Sequence, residues 1–220
     1  LCLLDDGLNE PEQIADSLRG KRCEFLIVDH YGRGAEFETA CRSFADTVFV
    51  VDDLAKQEHD ADILLNQNLG SMACSYAGLV PENCRLLLGP DYALLRPDFA
   101  ELRDGALIRR RACEKIDRVL VSFGMTDPCG LTLRALSALT EVNFAGYIDV
   151  VISSDSLHLA EVHGLATEMG SRVQVHCDVN DMAKIMADAD LAIGAAGTTS
   201  WERCSLGLPA LIVVAAENQA

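Results

Sequence analysis

The stretch Leu191-Ala192-Ile193-Gly194-Ala195-Ala196-Gly197-Thr198-Thr199-Ser200-Trp201-Glu202 decides the fold. A short apolar run, Leu191–Ile193, predicts a buried strand. Small and hydroxyl residues over Gly194–Trp201 then turn into a helix, Trp201–Leu206. Gly207-Leu208-Pro209 stops that helix, and the apolar run Ala210–Val214 is a further strand. Strand, turn, helix, strand within about 25 residues is a βαβ unit of a parallel sheet.

The same grammar extends upstream. Asp117–Phe123 reads as a strand running into the tight turn Gly124-Met125-Thr126-Asp127-Pro128, followed by a helix carrying Leu131, Leu133, Leu136 and Leu139. Ile148–Ile152 and Arg172–His176 are strands, with helices over Leu157–Met169 and Asp181–Ala187. In the first half, Phe25–Val28, Thr47–Val51 and Ala61–Asn66 are strand-like and each ends in polar residues. A break falls near Arg103-Asp104-Gly105, before the basic run Arg109-Arg110-Arg111, which reads as a solvated linker or helix face. The expected organisation is α/β, with two Rossmann-like domains in tandem. Residues 1–104 are the remainder of an N-terminal domain, 105–115 a linker, and 116–220 a C-terminal domain. Both ends of the chain read as cut, leaving the N-terminal domain incomplete.

Composition narrows the function. The chain has 220 residues, half of them hydrophobic, and a formal net charge of -16. Phosphate-backbone binding needs basic clusters, so a nucleic-acid partner is not expected. No apolar run reaches the roughly 18 residues of a membrane span. Nine cysteines occur without C-x-x-C spacing or a matching histidine, which fits reduced thiols in a cytoplasmic protein rather than disulfides or a metal site.

The two Gly-and-hydroxyl turns are the candidate ligand elements. Small residues let a ligand approach the backbone, and Thr126, Thr198, Thr199 and Ser200 offer hydroxyl donors for a diphosphate. Glu202 has two acceptor oxygens, enough for both hydroxyls of a ribose. Each turn is equally readable as a plain capped helix start, with Glu202 favoured by the dipole. In Asp29-His30-Tyr31-Gly32, His30 is either a general base or a packed histidine, and Tyr31 could stack on a sugar. Asp52-Asp53 is an acid pair, catalytic or metal-binding, or else a cap. The other four histidines read as structural or exposed.

Taken together, Val28–Gly32, Asp52-Asp53-Leu54, His59–Asn68, Leu88–Arg96, Phe123–Asp127 and Gly197–Glu202 resemble the UDP-diacetamido-trideoxy-altropyranose hydrolases of the pseudaminic acid pathway, a glycosyltransferase-B-like family. The second half is also similar to the nucleotide-binding domain of the lipid-linked N-acetylglucosaminyl transferases of peptidoglycan synthesis. The resemblance implies a UDP-sugar substrate and cofactor- and metal-independent hydrolysis at the anomeric carbon, with inversion and loss of UDP. It matches Glu202 to a ribose-binding acid, Val179 to a position that reads uracil, and Asn218 and Gln219 to a sugar-contacting pair; with Met125, Thr126, Thr198 and Thr199 of the two turns for UDP and Tyr31 for the sugar, these are the candidate site residues. The family's general base lies in a Gly-x-Gly-His element, which this chain lacks. His30 is the remaining candidate. Gly124-Met125 stands where the family has two glycines. A glycosyltransferase and a non-catalytic nucleotide-sugar binder are the alternatives.

Overall fold

A computed structural model describes residues 9–124 and 126–214. It divides into two units, one ending at Leu94 and one beginning at Leu95. The sequence reading put the break at residue 104, ten residues further on.

The first unit contains α1 (Glu10–Ser17), β1 (Cys23–Val28), α2 (Ala35–Cys41), β2 (Ala45–Val51), β3 (Ile63–Asn66) and β4 (Arg85–Leu88). The four strands form one parallel sheet in the order β1-β2-β3-β4. Val28, Val48, Val50, Ala61, Leu64 and Tyr76 make its main core. β-branched residues dominate because their stiff side chains pack well on a pleated surface. Arg42 fastens the loop before β3, with its guanidinium on Asp60 at 2.8 Å and Asp62 at 3.0 Å. That guanidinium holds the Asp60 carboxyl below its ordinary range.

The second unit comprises α3 (Pro97–Arg111), β5 (Arg118–Ser122), α4 (Leu131–Glu141), β6 (Tyr147–Ile152), α5 (Leu159–Met169), β7 (Val173–Cys177), α6 (Met182–Asp188), β8 (Leu191–Ala195), α7 (Thr199–Ser205) and β9 (Ala210–Val213). Its parallel sheet runs β7-β6-β5-β8-β9. Leu131, Leu136 and Leu139 of α4 and Val162 of α5 pack with Val119, Val121, Ile148 and Val150 of the sheet. A separate core joins Phe99 and Ala106 of α3, Ala183 and Met186 of α6, and Leu206 to Leu120 and Ala192. Helices therefore cover both faces, which is why β5 and β8 read as nearly continuous apolar runs. Each fully buried aliphatic side chain contributes about 1.5–3 kcal/mol.

The stretch 105–115, expected as a linker, is helical as far as Arg111. Pro97 starts α3 where its missing N–H costs nothing, and Phe99 anchors the helix at 0% exposure. The arginines are not simply solvated. The Arg110 guanidinium donates to the carbonyls of Met186, Ala189 and Leu206 at 2.7, 2.5 and 2.8 Å. Arg109 donates to Asp190 Oδ1 at 2.6 Å, and the Asp190 carboxylate also accepts from the Asp117 and Arg118 amides. The basic run thus ties off the C-terminal carbonyls of α6 and α7, which have no partner inside their own helices. Among the described residues, no helix is long and apolar enough to cross a membrane.

Candidate nucleotide site

In the second unit, the chain leaves β5 towards β6 and β7 on one side of the sheet. It returns to β8 and β9 on the other. The switch point lies between β5 and β8, which pair from Val119↔Leu191 to Ser122↔Gly194. In open parallel sheets the crevice beyond the strand ends at such a point is where ligands bind. Both turns singled out in the sequence emerge there. Thr126 follows β5, and Thr198 and Thr199 follow β8 on the neighbouring strand.

The two turns differ in what fills them. After β5, Gly124 takes φ 91° and Asp127 the positive φ of 41°. Asp127 is 2% exposed, and its carboxylate accepts the Leu131 amide at 2.9 Å and the Thr132 amide at 2.8 Å. The start of α4 is thereby closed by the turn's own acid. Ser156 Oγ donates to the Thr126 carbonyl at 2.9 Å, and the Thr126 side chain is left exposed. Met125 lies outside the described residues.

After β8, Gly197 has φ 124°, and no side chain caps α7. Thr198 is exposed, while Thr199 and Ser200 are half-buried. Glu202 is half-buried, and among the described residues its carboxylate has no hydrogen-bond or ion-pair partner. Burial pushes its pKa up, against an opposing pull from Arg96 and Arg203. A partly desolvated carboxylate without a donor is a ready acceptor for two hydroxyls.

Arg96 was not picked out by the sequence reading, although it closes the Leu88–Arg96 segment. It precedes α3, donates to the Asn180 carbonyl at 3.0 Å, and contributes to the field at Glu202. It thus connects the loop after β7, which carries the half-buried Val179, with the Glu202 side of the crevice. Asn218 and Gln219 lie outside the described residues.

In the first unit the strand ends are polar and already engaged with one another. Asp52 Oδ1 and Oδ2 accept the Leu54 and Ala55 amides at 3.2 and 2.9 Å. The buried Tyr76 hydroxyl donates to Asp52 at 3.0 Å and accepts from Asn66 Nδ2 at 2.9 Å. Asp52 is therefore the cap of a turn, and Asp53 stands apart from it, accepting from the exposed Tyr31 hydroxyl at 3.3 Å. That hydrogen bond raises the Tyr31 pKa. His30 is exposed, and its Nδ1 accepts the Gly32 amide at 2.9 Å with an Arg33 guanidinium nitrogen at 3.0 Å. The same Arg33 nitrogen lies 3.2 Å from Nε2. His59 is buried, with Nδ1 at 2.7 Å from Glu38. Among the described residues no group of three or more His, Cys, Asp or Glu is placed to hold a metal ion, and the cysteines are free.

No family model matches the chain. It is similar to three curated proteins. The uncharacterized protein MJ1062 of Methanocaldococcus jannaschii is 25% identical over 215 residues, 96% of this chain and 44% of that protein. The UDP-2,4-diacetamido-2,4,6-trideoxy-beta-L-altropyranose hydrolase of Campylobacter jejuni is 27% identical over 182 residues, covering 82% and 62%. The spore coat polysaccharide biosynthesis protein SpsG of Bacillus subtilis is 28% identical over 216 residues, covering 96% and 62%. The chain thus spans roughly half to three-fifths of the length of these relatives. Among solved structures, MurG of Acinetobacter baumannii superposes with a TM-score of 0.53 at 16% identity, over 95% of this chain and 57% of that one. That likeness shows the fold, α/β with parallel sheets as in MurG.

Proposed function

We propose that this chain is part of a nucleotide-sugar enzyme of polysaccharide biosynthesis, and specifically of a hydrolase that releases UDP from a UDP-linked diacetamido-trideoxy sugar. One observation carries the reading. Two Gly-and-hydroxyl turns leave neighbouring strands at the switch point of the second sheet, with a carboxylate that has no partner among the described residues one turn into the following helix. In this reading Met125, Thr126, Val179, Thr198, Thr199 and Glu202 hold UDP. Glu202 accepts the ribose hydroxyls, and the threonine hydroxyls donate to the diphosphate. Tyr31, Asn218 and Gln219 contact the sugar. Water attacks the anomeric carbon, the bond from that carbon to the phosphate oxygen breaks, and UDP departs with the electron pair. The two named relatives with a stated role, a nucleotide-sugar hydrolase and a polysaccharide biosynthesis protein, support the substrate class.

The reaction in labelled water tests this. The full-length protein is expected to release UDP without any acceptor and to put the label on the sugar. Label on UDP would mean attack at phosphorus and overturn the mechanism. The MurG-like fold supports a second reading, a glycosyltransferase, and turnover only with an added sugar or lipid acceptor would promote it.

A further inference from the structure

The chain between β7 and α6 is fastened at both ends. At one end Asp178 takes the positive φ of 50°, and its Oδ1 accepts the Ser154 amide, from the loop after β6, at 3.1 Å. A left-handed backbone is unfavourable for a residue with a Cβ, and Asp is among those that tolerate it best. At the other end Arg96 Nη1 donates to the Asn180 carbonyl at 3.0 Å, although the two residues are 84 apart in sequence. Arg96 is itself held in place. Its guanidinium lies 3.4 Å from the Asp98 carboxylate and 5.5 Å from the centre of the Phe99 ring, which is fully buried under α3.

Val179 stands between the two fastenings and is half-buried. Among the described residues its backbone N–H and C=O have no hydrogen-bond partner. Main-chain groups withdrawn from water are ordinarily paired. Here two restraints, one of them long-range, hold still a segment whose middle residue keeps an open donor and an open acceptor. A donor beside an acceptor matches a cyclic imide such as uracil, with its N3–H and a flanking carbonyl. Cytosine presents the opposite pattern, an acceptor at N3 and an amino donor at C4. Two hydrogen bonds discriminate only while the groups that make them stay put, because a loop free to shift could offer cytosine a matching pair.

We propose that Arg96 is a positioning residue for base recognition: by holding the Asn180 carbonyl it fixes the Val179 main chain, and with Asp178 at the other end it sets a preference for uracil over cytosine. Arg96 acts through the loop and touches neither base nor phosphate in this role. It also pulls on the Glu202 carboxyl, but that bears on the ribose, which UDP and CDP share. The proposal rests on the UDP-binding reading and deepens it.

The test is calorimetry on the full-length protein with UDP and with CDP, for wild type, Arg96→Met, Arg96→Lys and Asn180→Ala. Wild type is expected to prefer UDP by about 10- to 100-fold, the scale of two well-placed hydrogen bonds to a base edge. Arg96→Met should cut that preference by roughly fivefold or more, through loss of UDP affinity. Arg96→Lys can still donate to a carbonyl and should restore part of it. Asn180→Ala keeps the carbonyl, and its exposed side chain is not used, so the preference should stay within about twofold of wild type. Equal weakening of UDP and CDP by Arg96→Met would overturn the proposal and leave the arginine a structural or electrostatic group. A preference lost as fully in Asn180→Ala as in Arg96→Met would overturn it too, by moving the role to the Asn180 side chain. If Arg96→Met fails to fold by circular dichroism, Asp178→Ala, which frees the other end of the loop, decides by the same ratio. A wild type that binds UDP and CDP equally would refute the base-reading loop while keeping the nucleotide site. One that binds neither would overturn the nucleotide reading itself, and the proposal with it.

Discussion

The turn after β5 and the turn after β8 look alike in sequence, each a strand running through glycine and threonine into a helix, but they settle their charges differently. The first ends in Asp127, whose buried carboxylate takes the first free amides of α4. The second has no side-chain cap and, among the described residues, a half-buried Glu202 with no hydrogen-bond partner, while its buried Arg203 is held by the Ala195 carbonyl and Ser200 Oγ. A turn that satisfies its own groups is built for stability. In the proposed reading, the open acid of the second turn is what the ligand answers.

Three substitutions sharpen that contrast. The largest effect is expected at Asp127. Asp127→Ala removes the acceptor of two buried amides and puts a Cβ residue without a local hydrogen bond at positive φ, costing about 2–3 kcal/mol by denaturant titration. A cost under 0.5 kcal/mol would show that the two turns are not distinguished by capping. Next comes Gly194→Ala, for which overpacking against Ser122 and Arg203 should cost about 1–3 kcal/mol. The smallest effect, and the most telling in sign, is on Glu202. Burial raises its pKa above the ordinary 4.5, so its ionisation opposes folding once the pH rises through the unfolded-state value. Glu202→Gln should therefore be slightly more stable than wild type at neutral pH and indistinguishable from it at acid pH. Lower stability at neutral pH would make Glu202 a structural acid, like Asp127.

Much of the fold is legible because parallel strands buried on both faces read as near-continuous apolar runs, as β5 and β8 do. The helix α3 is not legible, since Arg103, Arg109, Arg110 and Arg111 with Gly105 read as solvated. The guanidinium groups of Arg103, Arg109 and Arg110 donate to carbonyls at the ends of α6 and α7, a role that appears only when those helices are in place. β4 is short, Arg85–Leu88, and passes unnoticed beside the turn that follows it. At the site, the turns could be found from their small residues, and Glu202 from its spacing. That a residue of the turn caps α4 was also readable, with Thr126 and Asp127 as the two candidates, and the structure gives the role to Asp127. Arg203 was hidden. A single arginine on a helix is ordinarily exposed, and only the glycine at 194 hints at the space it occupies.

The pH dependence of binding offers one more check. If Glu202 accepts the ribose hydroxyls as a carboxylate, UDP affinity should fall on acidification, with its midpoint above the ordinary 4.5 because burial raises this acid. In Glu202→Gln that limb of the profile should be flat.

The most direct measurement is the calorimetric UDP affinity of full-length Glu202→Gln against wild type at neutral pH. A charge-assisted acceptor contributes about 1–3 kcal/mol, so the account predicts a loss of roughly 5- to 150-fold. Equal affinity for UDP in the two proteins would contradict it.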